Sequence, residues 1–269
     1  PALPAPEKTA RTYRNLAALD TKSLEFRSNA LLRTHKDRRK LEIIGTRHIQ
    51  KFFAAQGERI VENLLKSDGP LETRDIEAID WEEEFRQLEA VLRRFYMANG
   101  EAAFATASAL FGMDSLVWEV SNPRVLQLVD TLGLKIVDIS ETTRRQVTGI
   151  ITDSLFEGST LQQIADALTG MFEETYTGRA KTIARTESMF AYSEASVLAY
   201  SESGEVDEVE IHDNPEHTEW YAGAEDGLTC AQRHELVVPL RQAMYHIRSD
   251  HPNGSAGVIP ILRTPLGQE

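Results

Sequence analysis

A chain of 269 residues is long enough to bury a sizeable core, and its composition, 41% hydrophobic and 26% charged, excludes wholesale disorder. A formal net charge of −13 excludes a nonspecific coat for nucleic acid, which depends on many phosphate contacts, but leaves room for a local basic patch. The single cysteine, Cys230, excludes an intramolecular disulfide and an all-cysteine metal site, and no run approaches the ~20 apolar residues of a membrane-crossing helix.

The first residues lack the charged, apolar, small-residue succession of a secretory signal, so synthesis in a cytoplasm without export is expected. Residues 1–7 (PALPAPE) suit an extended arm that orders on a partner. The composition then turns basic and culminates in RTHKDRRK at residues 33–40. Residues 1–40 are expected to form a flexible, partly helical basic arm. Arg33, Lys36, Arg38, Arg39 and Lys40 are its candidates for contact with DNA or an acidic partner, the ordinary alternative being a solvated helix face.

Apolar residues recur at helical spacing from Ile44 through Ile49, Phe52, Phe53, Ile60 and Val61 to Leu65, which predicts one or two amphipathic helices. Ser, Asp, Gly and Pro at 67–70 predict a turn, followed by an acidic connector over 72–80. A helix is expected from Trp81, stopped by Asn99-Gly100, and a second helix-prone stretch over 101–110. Asn122-Pro123 is a good helix start, since asparagine caps and proline suits the first turn. From there the periodicity continues to Glu157-Gly158, as one helix or as two divided near Gly133. Ser159 with Gln162 predicts a capping box for a helix facing inward through Leu161, Ile164, Leu168 and Phe172.

A boundary is expected at 175–178, closing a helical region of residues 41–177 and opening a C-terminal domain of residues 178–269. Over residues 179–204, Ala180, Ala184, Glu187, Ala191, Ala195 and Leu198 fall on one stripe, with Ile183, Phe190 and Val197 on its shoulder. A stripe of alanines lets a neighbouring backbone approach closely, so this helix should lie in the middle of the domain. Glu187 is the exception on that face, and a carboxylate there requires a cationic or hydrogen-bonding partner, for which Arg179, Arg185 or a more distant residue is a candidate. Arg179, Arg185 and Glu187 are therefore expected to act as a polar staple that fixes the helix against the C-terminal strands, a structural role in preference to a catalytic one. Phe190 and Trp220 are assigned to the core. Strands are expected at 205–212 and 258–262, separated by polar loops. The expected fold class is mainly α: a helical N-terminal part followed by a small α+β C-terminal domain.

No catalytic set stands out. A Gly-x-Ser-x-Gly elbow, a phosphate-binding loop and a dinucleotide fingerprint are all missing, and Cys230 with His234 has no third, orienting group. The sharpest enzyme alternative is a metal-dependent nuclease built from His212-Asp213-Asn214 and His251-Pro252-Asn253, with Arg233 or Arg248 as the neutralising cation.

The order of features over residues 179–262 carries a resemblance: RA and then IARTE, alanines and Tyr200 leading to a glycine, a strand, a tryptophan, an Asp-Gly-x-Thr-Cys loop, HELVVPL, HPN, and a final strand containing proline. In this order it resembles the phage Mu protein F-like family of minor head, or head-morphogenesis, proteins, and residues 122–178 look like what commonly precedes that domain. The resemblance implies a structural, nonenzymatic protein of a tailed-phage particle, located in the head interior and made in the host cytoplasm. It would be associated with the portal protein or the major capsid protein, and would act in head assembly, genome packaging or ejection without a small-molecule substrate. A DNA-binding adaptor of the particle is the binding-module alternative, with the 33–40 cluster touching packaged genome.

Many members of that family look like zinc binders, with a Cys-x-x-Cys pair and further cysteines after the HPN histidine. Here Arg233 stands where the second thiolate would be, and Gly254 and Ala256 follow His251 and Asn253. A four-thiolate site is impossible. A metal-free loop cluster is the expected state; the alternative is zinc on Cys230, His234 and His251, as three ligands plus water or as Cys-His-His plus one carboxylate, with His212, His217 and Asp213 nearby in sequence.

Overall fold

The computed structural model describes residues 11–12, 21–66 and 79–262. The expected N-terminal arm up to residue 10, the 67–70 turn and most of the acidic connector lie outside the described residues. The fold is mainly α with a small antiparallel sheet, as the periodicity predicts. A two-residue strand β1 (Arg11–Thr12) precedes four long helices, α1 (Thr21–Leu65), α2 (Trp81–Phe111), α3 (Pro123–Phe156) and α4 (Leu161–Ser203). The C-terminal part contains β2 (Val206–His212), the short helix α5 (Cys230–Arg233), β3 (Leu236–Pro239), a 3-10 turn over Leu240–Gln242, α6 (Ala243–Arg248) and β4 (Gly257–Leu262). No helix among the described residues is long and apolar enough to cross a membrane.

Local chemistry explains most helix ends. Asp80 caps α2 by accepting the Glu83 N–H at 2.9 Å, and Asn122 caps α3 by accepting the Arg124 N–H at 2.9 Å. The capping box before α4 lies one residue later than expected: Thr160 Oγ1 accepts the Gln163 N–H at 3.3 Å while Gln163 Oε1 accepts the Thr160 N–H at 2.8 Å. Asn99-Gly100 does not stop α2. A Cβ at Gly100 would stand 2.4 Å from the Trp118 ring, so the glycine serves close packing inside a continuous helix, and the stop comes at Gly112, whose φ of +66° only glycine adopts easily. The expected boundary at 175–178 falls inside α4, which runs through it unbroken.

The chain divides into two compact units whose segments alternate along the sequence. One comprises residues 43–95 and 129–184. Its core joins Ile60 and Leu64 of α1, Ile79, Val147 and Ile151 of α3, and Ile164, Leu168 and Phe172 of α4. Gly57 lets α1 sit against Phe172, since a Cβ there would meet the ring at 2.7 Å. Within this unit Arg59 forks onto the buried Glu84, with Nε and Nη2 donating at 2.8 and 2.6 Å.

The other unit comprises residues up to 42, 96–128 and 185 onward. Its axis is the second half of α4, in which every residue from 187 to 196 is buried. The expected alanine stripe is present, with Ala191 and Ala195 at most 1% exposed, but burial extends around the whole helix, whose other faces carry the small Ser188, Ser193 and Ser196 together with the large Met189, Phe190 and Tyr192. The sheet has the order β1-β3-β2-β4, all pairs antiparallel. β2 is central, and its Val209 and Ile211 pack inward. Pro260 is tolerated in β4 because that strand is at the edge. β3 was not expected from the sequence; its four residues are too short a run to stand out.

Candidate functional site

Two of the three members of the expected staple belong to this second unit. Glu187 is 4% exposed and accepts a hydrogen bond from the Tyr96 hydroxyl at 2.8 Å. Burial, and next the Glu187 charge, push the Tyr96 phenol far above its ordinary range, so it remains a donor. Arg185 donates through Nε to the Gly254 carbonyl at 3.2 Å, and the neighbouring Thr186 hydroxyl accepts the Asn253 N–H at 2.9 Å. The IARTE and HPN segments are therefore in direct contact. Arg179 is not part of that arrangement: it bonds Thr143 Oγ1 at 2.9 Å and the Ile139 carbonyl at 2.7 Å and lies over the Phe53 ring. Phe190 is buried as assigned, but Trp220 is 61% exposed and belongs to no core.

The basic cluster is split by the helical period. Arg33, Lys36, Arg39 and Lys40 are exposed on α1. Arg38 is 6% exposed and turns inward, donating to the Ser255 and Ala256 carbonyls at 3.1 and 2.9 Å. It is a structural strap between α1 and the loop before β4 and is closed to a polyanion, contrary to expectation.

The chemistry-bearing groups of the sheet end converge around α5. Thr229 and Gln232 form a capping box that fixes this single turn, with bonds of 3.3 and 2.9 Å. It presents Cys230 and Arg233 inward, at 2% and 1% exposure. Arg233 forks onto Asp226 with Nε and Nη2 at 2.7 and 3.0 Å, and Nη2 also donates to the Leu228 and Ser249 carbonyls. Its Nη1 lies 3.6 Å from Asp213 and 3.7 Å from Asp250. His246 adds a contact to Asp226 at 3.0 Å. Burial opposes the charge on Asp226, but its bonds from His246 and Arg233 prevail and hold its carboxyl below the usual range. Burial, with Asp250 next, pushes Asp213 upward.

The HPN loop follows from this packing. Asp250 Oδ1 accepts the His251 N–H at 2.8 Å and Oδ2 accepts the Ala256 N–H at 3.1 Å, so its carboxylate fills the loop. A Cβ at position 254 would fall 1.9 Å from Asp250 Oδ2, which requires glycine there. The Cys230 thiol donates to Asp250 Oδ1 at 3.4 Å, and burial, followed by Asp213 and Asp250, pushes it up to about 12.

Of the expected metal ligands, Cys230 and His251 come together and His234 does not join them. His217 occupies that place: donor atoms of His217, Cys230 and His251 all lie within 4.8 Å of one another, as do those of Asp213, Cys230 and Asp250. The His217 and His251 rings are 4.6 Å apart, and His217 is carried to α5 by the Ala231 N–H donating to its carbonyl at 3.0 Å. His234 instead meets the His212 ring edge-on, with centroids 4.8 Å apart, and His212 meets His35 in the same way at 5.2 Å. Burial, with His234 and His35 next, lowers His212 to about 4.

The two loops proposed for a nuclease do meet, with Ser255 Oγ donating to Asp213 at 3.4 Å, and both candidate cations are paired with carboxylates, Arg248 while remaining exposed. Arg233 is buried in its carboxylates, and Arg248 forks onto Glu194 at 3.0 and 2.6 Å. Zinc on four thiolates has no place here, because the positions in question hold a buried arginine, a glycine under Asp250 and an alanine. A mixed donor set does fit, since Asp213 Oδ2 and His217 Nδ1 are buried without hydrogen-bond partners beside the thiol. Comparison of the chain with protein-family models, curated proteins and solved structures finds no match.

Proposed function

We propose that this chain is a nonenzymatic minor head protein of a phage-type particle, held in the head interior by the portal or the major capsid protein and acting in head assembly and genome packaging or ejection. One observation carries the reading. The segments whose order makes the resemblance, 185–187 in α4 and 251–254 before β4, bond to each other through Arg185 to Gly254 and Asn253 to Thr186, although 67 to 69 residues separate them. Scattered motif residues that meet in one folded unit are better support for a family resemblance than the motif string alone.

The inward turn of the charges favours a scaffold over a catalyst. Arg38, Arg233, Glu187, Glu194 and Glu210 are all engaged by backbone or side chains, whereas a site for metal-assisted hydrolysis needs a cation and a carboxylate left open to substrate.

Co-sedimentation of the purified chain with purified portal rings, and separately with empty capsid shells, tests the proposal. Stoichiometric binding to one of them is the expected result, with the mass of the complex giving the copy number. A monodisperse chain that binds neither overturns it. If the chain instead binds duplex DNA, with an affinity that falls steeply with salt and is lost on charge reversal of Arg39 and Lys40, the adaptor reading replaces it.

A further inference from the structure

The geometry points to a zinc-class divalent ion held by His217, Cys230, Asp250 and His251, a donor set that replaces thiolates with imidazoles and one carboxylate. Cys230 Sγ already contacts Asp250 Oδ1 at 3.4 Å, and His251 Nε2 lies 3.8 Å from the same oxygen. The His251 Nδ1 is 2.9 Å from the Pro252 carbonyl. With the proton on Nδ1, that bond fixes the ring and leaves the Nε2 lone pair facing the cluster, the usual second-sphere arrangement of a metal-binding histidine.

His217 completes the set from the opposite loop, with its ring against His251 and its donor within 4.8 Å of the thiol. Zn–S and Zn–N bonds of about 2.3 and 2.0 Å imply donor separations of roughly 3.3–3.8 Å in a tetrahedron. With His251 held by its Pro252 bond, closing the remaining gap falls to the half-buried His217 side chain.

A second observation calls for a cation at this point. Asp213 is 2% exposed, its Oδ2 has no hydrogen-bond partner, and its donor atom lies within 4.8 Å of Cys230 and Asp250. Three carboxylates, Asp213, Asp226 and Asp250, share a single guanidinium, Arg233, whose Nε and Nη2 bond Asp226 and whose Nη1 stands 3.6 and 3.7 Å from Asp213 and Asp250 and 4.0 Å from Cys230 Sγ. An ion beside Cys230 adds a second positive charge to these three carboxylates. On binding, the Cys230 S–H bond breaks, its proton leaves to solvent, and the sulfur pair forms the bond to the metal. Four protein donors leave no open position, so the ion is a structural clamp between the loops at 213–230 and 250–254.

Titration of the full chain with Co²⁺ tests this, read by absorption and followed by displacement with Zn²⁺. One equivalent should produce tetrahedral visible bands together with a thiolate charge-transfer band in the near ultraviolet. His217→Ala should weaken binding at least ~10-fold and Cys230→Ser should abolish the charge-transfer band, while His234→Ala leaves both unchanged. Zn²⁺ should raise the melting temperature of the wild-type chain and of His234→Ala but not of Cys230→Ser, with far-ultraviolet circular dichroism establishing that each variant is folded. The assignment is overturned if the wild-type chain gives no charge-transfer band, if the band survives in Cys230→Ser, or if affinity depends on His234 and not on His217. Metal loading requires no portal, so its failure would leave the particle reading standing, and a chain that binds zinc but no portal would leave this one standing.

Discussion

Tyr96 and Glu187 show what a buried carboxylate requires. The oxygen sits on an almost fully enclosed helix face and takes a charge-assisted bond from a phenol that cannot ionise in that setting. Tyr96→Phe keeps the ring and removes only the donor, so it should lower the unfolding free energy by about 1–3 kcal/mol in urea titrations. An unchanged midpoint would mean that the carboxylate is satisfied without it. The sequence made Glu187 conspicuous because every other residue of its stripe is apolar. It could not name Tyr96, which lies 91 residues away on another helix, and sequence proximity suggested Arg179, which spends its guanidinium on α3. The same bias favoured His234 over His217 near Cys230: four residues apart in sequence is close, but β3 begins just beyond and carries the His234 ring toward His212.

At the scale of elements, the apolar period and the capping residues were legible, and glycine was the ambiguous sign. Asn122-Pro123 marks a real start, whereas Asn99-Gly100 marks no stop, because the determining neighbour, Trp118, comes from a loop whose position the local sequence does not encode. The difference can be measured. Gly100→Ala drives a methyl into the Trp118 ring and should destabilise by about 1–3 kcal/mol. Gly170→Ala, at an exposed site of α4 with nothing within 4 Å, should stabilise by about 0.5–1 kcal/mol by raising helix propensity. Calorimetry on both variants should therefore give melting temperatures shifted in opposite directions. The short strands were harder to read: β2 and β4 show alternation or an apolar run, while β3 is hidden within HELVVPL.

For the whole molecule, acid should act through the cluster of His35, His212 and His234. His212 is held neutral by burial and by the neighbouring His234, His35, Arg27 and Arg38, with its pKa lowered to about 4 from 6.5. The unfolded chain takes up this proton first, so the stability tied to a neutral His212 is complete above pH 6.5 and is lost as the pH falls toward 4, by up to ~3 kcal/mol. Urea midpoints measured across that window should fall less in His212→Asn than in the wild-type chain; equal slopes would exclude His212 as the sensor. The expected mainly α class with a small α+β C-terminal portion is what the chain forms, but the helices do not respect a cut between residues 177 and 178. Periodicity reports helices and not their partners, so it could not reveal that the segments of the two units alternate along the chain.

Arg38 has a consequence for how the protein is made. Its hydrogen-bond acceptors lie 217 and 218 residues further along the chain, and Arg27 reaches Glu210 across 183. During translation both segments of the unit of residues 43–95 and 129–184 are available once residue 184 has emerged, whereas Arg27 and Arg38 at the start of α1 must wait for β2 and the loop before β4, several seconds later at roughly 5–20 residues per second. Through that interval the acceptors of Arg27 and Arg38 are not yet made, while the start of α1 can already meet α2, where Thr106 bonds Asp37 and Phe111 lies against Phe26. Ribosome-associated chaperones therefore have a defined window in which to hold this segment, and a pause before β4 would lengthen it.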